Sequence, residues 1–235
     1  KNVEKGIRQE GPRVERLFRA ALNNAYAYIG EGWNRGKGLR ALRAPLHRAF
    51  DRLVFSKIRQ NFGGNMEFFI GGGAYLDIEM QRFFFAIGIP MYQGYGLTEA
   101  APIISTNSPE AHKLGTSGQI VPDLEVRICD EEGRDLPTGR KGEIVVRGEN
   151  VMLGYYKNSE ATGEVLDEDG GLRTGDLGLL DEAGFLYIKG RCKSMILGPS
   201  GQNIYPEEIE SKLNVMSYIQ ESLVREDEGK LIALV

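Results

Sequence analysis

Gln93-Gly94-Tyr95-Gly96-Leu97-Thr98-Glu99 places an aromatic ring, a flexible glycine, a hydroxyl and a carboxylate within five residues. Together these groups can hold a nucleotide phosphate and its metal. Just upstream, Phe68-Phe69-Ile70-Gly71-Gly72-Gly73-Ala74 is an apolar run ending in glycines. It reads as a buried strand that breaks into a loop where backbone can approach a flat ligand. Around these two stretches short apolar strands (66–70 and 89–94) alternate with a helix (77–86). Such alternation predicts an α/β region with a parallel sheet and covering helices. It also sets Gly72 and Tyr95 past strand ends, where open α/β sheets bind ligands.

Working outward, the texture changes after Gly115. Val121-Pro122-Asp123, Glu131-Glu132-Gly133-Arg134, Pro137-Thr138-Gly139 and Asp181-Glu182-Ala183-Gly184 are turn signals between short β-branched runs such as 124–129, 143–147 and 185–188. These predict antiparallel strands in a small barrel or sandwich. From Arg191 the pattern is strand (194–197), glycine loop (198–201), a helix (206–213) opened by Pro206-Glu207-Glu208, then strands. The expected organisation is an α/β part over 1–114, a β-rich part over 115–190 and the start of a small α+β domain over 191–235.

The composition is 41% hydrophobic and 26% charged, that of a globular chain able to bury one or two cores. Cys129 and Cys192 make neither a disulfide framework nor a metal-ligand pair, and no signal peptide or spanning apolar run is present, so the expected compartment is the cytoplasm. A net charge of −4 conceals an asymmetry: residues 1–60 carry 14 Lys and Arg against 5 Asp and Glu, the remainder 15 against 28. The basic part holds two helical segments, 14–29 and 39–60. In the second, Leu39, Leu42, Leu46, Ala49, Leu53 and Phe55 fall on one face with Arg40, Arg43, Arg48 and Arg52 between them. Two readings stand: a packed helix with a solvated basic face, or a surface for anionic lipid at the inner membrane face or for the phosphates of a nucleotide thioester. Nucleic acid is not expected, since no aromatic-basic recognition motif accompanies the charge.

Joining a carboxylate to a nucleotide needs an adenine slot, a ribose anchor, a metal near the phosphates and a shield for charge on phosphorus. Gly72, Gly73 and Ala74 can let backbone lie against a purine, and Tyr95 can stack on it; equally, they are a tight turn and a packing residue. Thr98 can donate to a phosphate oxygen and Glu99 can hold Mg²⁺, or the pair is an ordinary helix cap. Asp176, in Leu172-Arg173-Thr174-Gly175-Asp176-Leu177-Gly178, can accept from two ribose hydroxyls, or is a common turn aspartate. Arg191 can reach the same ribose or a phosphate, or makes a surface ion pair.

The order and spacing of the glycine run, the Tyr95–Glu99 block, Thr174-Gly175-Asp176 and Gly190-Arg191-Cys192-Lys193 resemble the adenylate-forming superfamily of acyl-CoA synthetases, luciferases and peptide-synthetase adenylation domains. The match runs from about Arg52 to the C-terminus. The resemblance implies that Thr98 contacts the α-phosphate, Glu99 serves Mg²⁺, and Gly72, Gly73, Ala74, Tyr95 and Gly96 line the nucleotide site. It further implies that Asp176 holds the ribose beside Ile188 and Arg191. Lys193 would be the hinge about which the C-terminal part rotates between adenylation by ATP and thioester formation with CoA, bringing the 198–201 loop to the thiol channel. Gly94-Tyr95-Gly96-Leu97-Thr98-Glu99-Ala100-Ala101-Pro102 and the 201–210 segment look most like fatty acyl-CoA synthetases of long or medium chain length, the small residues after Glu99 leaving room for an aliphatic chain. The rival expectations are an aryl or short-chain acid ligase and a non-catalytic nucleotide- or acyl-binding module.

Two departures stand out. Tyr75 and Gly71 replace the proline and serine-like residues usual in relatives, which matters little. More serious, no Ser/Thr/Gly-rich phosphate loop with its lysine precedes the Tyr95–Glu99 block; Gly115-Thr116-Ser117-Gly118 lies downstream and opens onto a strand. The chain also stops before the C-terminal lysine of relatives, and Lys230 is no match. The chain therefore reads as the back half of an acyl-CoA synthetase, expected to keep most of an AMP half-site and to be inactive or very weak alone.

Overall fold

The structure, a computed structural model, describes residues 2–74, 76–198, 202–216, 218–227 and 229–235. Tyr75 and most of the expected 198–201 glycine loop therefore lie outside the described residues. The chain forms two compact units. The first comprises Lys1–Gly71, Ile78–Tyr92 and Pro109–Leu114, and the second Gly72–Asp77, Gln93–Ser108 and Gly115–Val235.

In the first unit, α1 (Asn2–Gln9) leads to α2 (Pro12–Ile29), which starts at a proline and stops at Gly30. Proline's fixed φ suits a first helical turn. Phe18, Ala21, Ala25 and Ile29, spaced three and four apart, make its buried stripe. Gly30 has φ 60°, and a Cβ there would meet Asn34 Oδ1 at 2.2 Å, so no other residue fits this stop.

The basic segment expected to be one amphipathic helix is helical but not uniform. It runs as a 3₁₀ turn (Gly38–Arg43), α3 (Ala44–Phe50), a π turn (Asp51–Phe55) and α4 (Ser56–Gln60). The tighter and wider turns shift the phase of the side chains around the axis. The expected apolar stripe is consequently divided: Phe55 is fully buried, whereas Leu39, Leu42 and Leu53 are 86%, 79% and 61% exposed, and Leu46 and Ala49 are exposed too. His47 and Ile58 are buried in their place. Arg59 fixes the end of this run, donating to both Asp51 oxygens (2.6 and 2.9 Å) and to the Ile87 carbonyl (2.7 Å). Strand β1 (Phe69–Gly71) and helix α5 (Ile78–Ala86) complete the unit, with Phe62, Phe69, Phe83 and Phe84 packed edge to face. Phe18, Phe55, Phe85, Ile87 and Ile89 form its core.

Strand β2 (Met91–Gly96) carries the chain into the second unit, where β3 (Ile103–Thr106) and β4 (Gln119–Ile120) pair antiparallel, β2 with β3 and β3 with β4. The parallel arrangement expected of this region therefore does not extend past β2. Six residues join β2 to β3, and a parallel crossover needs a dozen or more. The β-rich part is an open antiparallel sheet of β5 (Glu125–Cys129), β6 (Gly142–Arg147), β7 (Leu172–Leu180) and β8 (Leu186–Arg191) in that order, not a closed barrel, with α6 (Ser159–Val165) between β6 and β7. Ile104 of β3 packs with Ile128, Ile144, Val146, Leu172 and Leu186 of that sheet in a second core. Beyond β8 come the short pair β9 (Ile196–Leu197) and β10 (Asn203–Ile204), α7 (Pro206–Val215), and the hairpin β11 (Leu223–Asp227) with β12 (Lys230–Leu234). No helix among the described residues is long and apolar enough to cross a membrane.

Candidate nucleotide site

The residues expected at a nucleotide site all belong to the second unit. β2 ends at Gly96, and the chain turns through a single 3₁₀ turn, Thr98–Ala100, with Ala101 left-handed (φ 44°) before β3. That return is so tight that a Cβ on Gly96 would sit 1.8 Å from the Pro102 carbonyl oxygen. Gly96 is thus demanded by backbone packing, whatever else it does. At the turn Thr98 is exposed and Glu99 half-buried. Ala100 is fully buried in the second core. Its small side chain serves that core, so it gives no support to the expected space for an aliphatic chain.

Neighbouring strands supply the ribose-side groups. Asp176 on β7 stands opposite Arg191 on β8. Arg191 Nε donates to Asp176 Oδ1 at 3.0 Å, and the Tyr95 hydroxyl donates to Oδ2 at 2.7 Å. Burial, reinforced by the adjacent Asp176 charge, raises the Tyr95 phenol far above its ordinary range, so Tyr95 remains a donor. Thr174 supports the carboxylate from below: its hydroxyl donates to Ile144 O (2.8 Å) and accepts from the Asp176 amide (3.1 Å). Glu143 accepts from Gly175 N (3.1 Å) and from Arg173 Nε (2.9 Å). Each Asp176 oxygen keeps a further lone pair for a sugar hydroxyl.

The glycine loop is tied to β2 ahead of Tyr95. Gly73 has φ 76° with open space where a Cβ would point, so conformation, not crowding, calls for glycine. The buried Gln93 side chain latches the loop to β2 by donating to the Ala74 carbonyl at 3.0 Å. Ile188 is half-buried against the second core, three residues ahead of Arg191. Lys193 is exposed in the 3₁₀ turn Cys192–Ser194 that follows β8. The Gly115-Thr116-Ser117-Gly118 stretch is scaffold: Thr116 and Ser117 are buried, their carbonyls accepting from Asn107 Nδ2 (2.8 Å) and Ser105 Oγ (3.0 Å).

A contact that sequence reasoning missed falls on Glu99. Tyr155, ahead of α6, donates its hydroxyl to Glu99 Oε1 at 2.9 Å, and that bond raises the Tyr155 phenol above its ordinary value. The signal available was only an aromatic pair, Tyr155-Tyr156, between a glycine and the Asn158-Ser159 helix start. Among the described residues no group of three acidic, histidine or cysteine side chains is placed to hold a metal. A lone half-buried carboxylate beside an exposed hydroxyl fits a different case, Mg²⁺ shared with phosphates, because that ion keeps waters and takes one or two carboxylates at such sites.

The family described as AMP-binding enzyme matches residues 16–156, more than half of the chain and including the Tyr95–Glu99 turn. The chain belongs to this AMP-binding enzyme family. The chain is 38% identical over 203 residues to a probable acyl-activating enzyme 16, chloroplastic, of Arabidopsis thaliana, covering 81% of this chain and 28% of that protein. It is 37% identical over 209 residues to the long-chain-fatty-acid–CoA ligase FadD15 of Mycobacterium tuberculosis, covering 89% and 33%. Among solved structures it is similar to the O-succinylbenzoate coenzyme A synthetase (MenE) of Bacillus subtilis in complex with ATP and magnesium ion, at 26% identity and TM-score 0.63, covering 92% of this chain and 54% of that one. The chain thus spans about a third of the length of the curated relatives it matches.

Proposed function

We propose that this chain is part of an AMP-forming acid–CoA ligase whose acid is a long-chain fatty acid. The observation that carries the ligase reading is the Tyr95–Asp176–Arg191 network on the same unit as the Thr98–Glu99 turn. The fatty-acid part rests on the names of relatives such as FadD15. In the first half-reaction a carboxylate oxygen attacks the α-phosphorus of ATP and the bond to pyrophosphate breaks. In the second the CoA sulfur attacks the acyl carbon, AMP leaves, and the thiol proton passes to water.

Within this scheme Tyr95 stacks on the adenine, the glycine loop lies along it, and Asp176 with Arg191 binds the ribose hydroxyls. Thr98 donates to an α-phosphate oxygen and so takes up charge that grows there. Glu99 would hold Mg²⁺, which when bound neutralises phosphate charge. Lys193, in the short turn after β8, is the hinge between the half-reactions. CoA is the second substrate, and no nucleic acid takes part.

The test is acyl-CoA formation by the full-length protein from ATP, CoA and a ladder of fatty acids. Turnover of palmitate-length acids is expected, with Glu99→Gln failing at adenylation and Lys193→Pro only at thioester formation. Likeness to the O-succinylbenzoate enzyme favours an aryl acid as second reading; turnover of benzoate-type acids alone would establish it. Full-length protein that binds ATP but turns over no acid would leave a binding module.

We further propose a peripheral contact between the first unit and an anionic membrane, with the protein cytoplasmic. Support comes from Leu39, Leu42, Leu46 and Leu53 exposed among Arg40, Arg43, Arg48 and Arg52. Flotation with phosphatidylcholine vesicles, with and without phosphatidylserine, tests it, and equal recovery from both would end it.

A further inference from the structure

The segment that follows β6 straps the Thr98–Ala100 turn at three points. Asn150 Nδ2 donates to the Ala100 carbonyl, Met152 N to the Glu99 carbonyl at 2.8 Å, and the Tyr155 hydroxyl to Glu99 Oε1 at 2.9 Å. The first two contacts fix the backbone of the turn. The third fixes the carboxylate itself, and Tyr155 is in turn anchored to α6. Its amide donates to Thr162 Oγ1 (2.9 Å), whose hydroxyl donates to the Asn158 carbonyl (2.7 Å), while the Asn158 side chain caps the helix by accepting from Ala161 N (3.1 Å). Gly154 allows this anchoring: at φ 143° a Cβ there would approach Thr162 Cγ2 to 2.7 Å.

Resting on the ligase reading, we propose that Tyr155 is a positioning residue for the metal carboxylate. Its hydroxyl occupies Oε1 of Glu99, restricts the side chain to one rotamer and leaves Oε2 to face a divalent cation carried in by a nucleotide. A carboxylate free to rotate at a solvent edge would lose side-chain entropy each time it took up the cation. A tyrosine hydroxyl removes part of that loss without adding charge.

The experiment is calorimetric titration of the full-length protein with ATP, once with Mg²⁺ and once with EDTA, for the unaltered chain, Tyr155→Phe, Glu99→Gln and the double variant. Tyr155→Phe is expected to weaken Mg·ATP binding by about three- to ten-fold, the scale of one charge-assisted hydrogen bond, with the EDTA affinity unmoved. In the Glu99→Gln background the same change should do nothing further. Gly154→Ala, which disturbs the anchor and not the hydroxyl, should reproduce the split. Equal losses with and without Mg²⁺ would make the strap mere scaffold and overturn the proposal, as would no loss at all. An unaltered chain that gains no affinity from Mg²⁺ also overturns it, whereas an unaltered chain that binds no ATP overturns the ligase reading as well.

Discussion

The two units differ in how their polar side chains are placed. In the second unit bonded series run around the half-buried Asp176 carboxylate and the buried Asn107: Tyr95 and Arg191 to Asp176, Thr174 to the Ile144 carbonyl, Asn107 to the Gln93 and Thr116 carbonyls. In the first unit lie both histidines of the chain. His112, held between the rings of Phe85 and Tyr92 at 4.7 and 5.1 Å, has neither ring nitrogen hydrogen-bonded among the described residues. His47 stacks on Tyr28 at 4.5 Å with Nδ1 likewise unpaired. Burial lowers both histidines, His112 to about 4. The packing around these two imidazoles thus favours their neutral form, whereas the Asp176 carboxylate of the second unit is already met by Arg191. Acid should separate them.

The sharpest break in that comparison is Phe55→Ala. The side chain is fully buried at the end of the π turn, and its loss should cost the first unit about 3–5 kcal/mol. Trp33, the single tryptophan and a residue of the first unit, reports this alone through its fluorescence in a urea titration; amide exchange of β7 should not follow.

Next in size is the pH effect. Above about pH 6.5 His112 is neutral folded or unfolded. Between 6.5 and about 4 the unfolded chain takes up a proton that the folded one refuses, so stability falls with pH by about 3 kcal/mol in all. The Trp33 transition should move to lower urea from pH 7 to pH 4.5, and His112→Leu should remove much of that movement. A transition that holds its position would count against the burial argument.

Tyr95→Phe comes third, at about 1–2 kcal/mol, because one hydrogen bond to a carboxylate is lost while Arg191 still faces it. The loss should show in exchange protection of β7 and leave Trp33 unaffected. Smallest is Leu42→Ser, an exposed position where a change within about 0.5 kcal/mol is expected in either direction. A large destabilisation there would mean that the leucine is covered after all.

What could be read in advance followed from local rules. The long helix ending at Ile29, α5 and the alternating strands of the second unit follow from period and turn residues alone. Tyr95, Asp176 and Arg191 were legible because their types and spacing resemble a family, and the structure joins them by hydrogen bonds. Three features were out of reach. The π turn at Asp51–Phe55 has no sequence period of its own, so the phase assigned to Leu39–Leu53 was wrong. The burial of Ala100 depends on β3 returning directly over it, which a short β2–β3 connection decides and composition does not. The Tyr155–Glu99 contact joins residues 56 apart, and neither end announces its partner.

The π turn also defines a one-residue experiment of nature. A five-residue π stretch is an α-helix holding one residue too many, so removing a single residue between Asp51 and Phe55 would restore the ordinary winding. The widened turn spends five residues on about the rotation that four take in an α-helix, so after that removal α3 and α4 would keep their relative phase. The same removal inside α3, where no residue is spare, would instead turn the preceding Leu39 and Leu42 by about 100° around the helix axis. Asp51–Phe55 is therefore a point in this run where chain length can change by one residue while the exposed leucines, and the arginines between them, keep their direction.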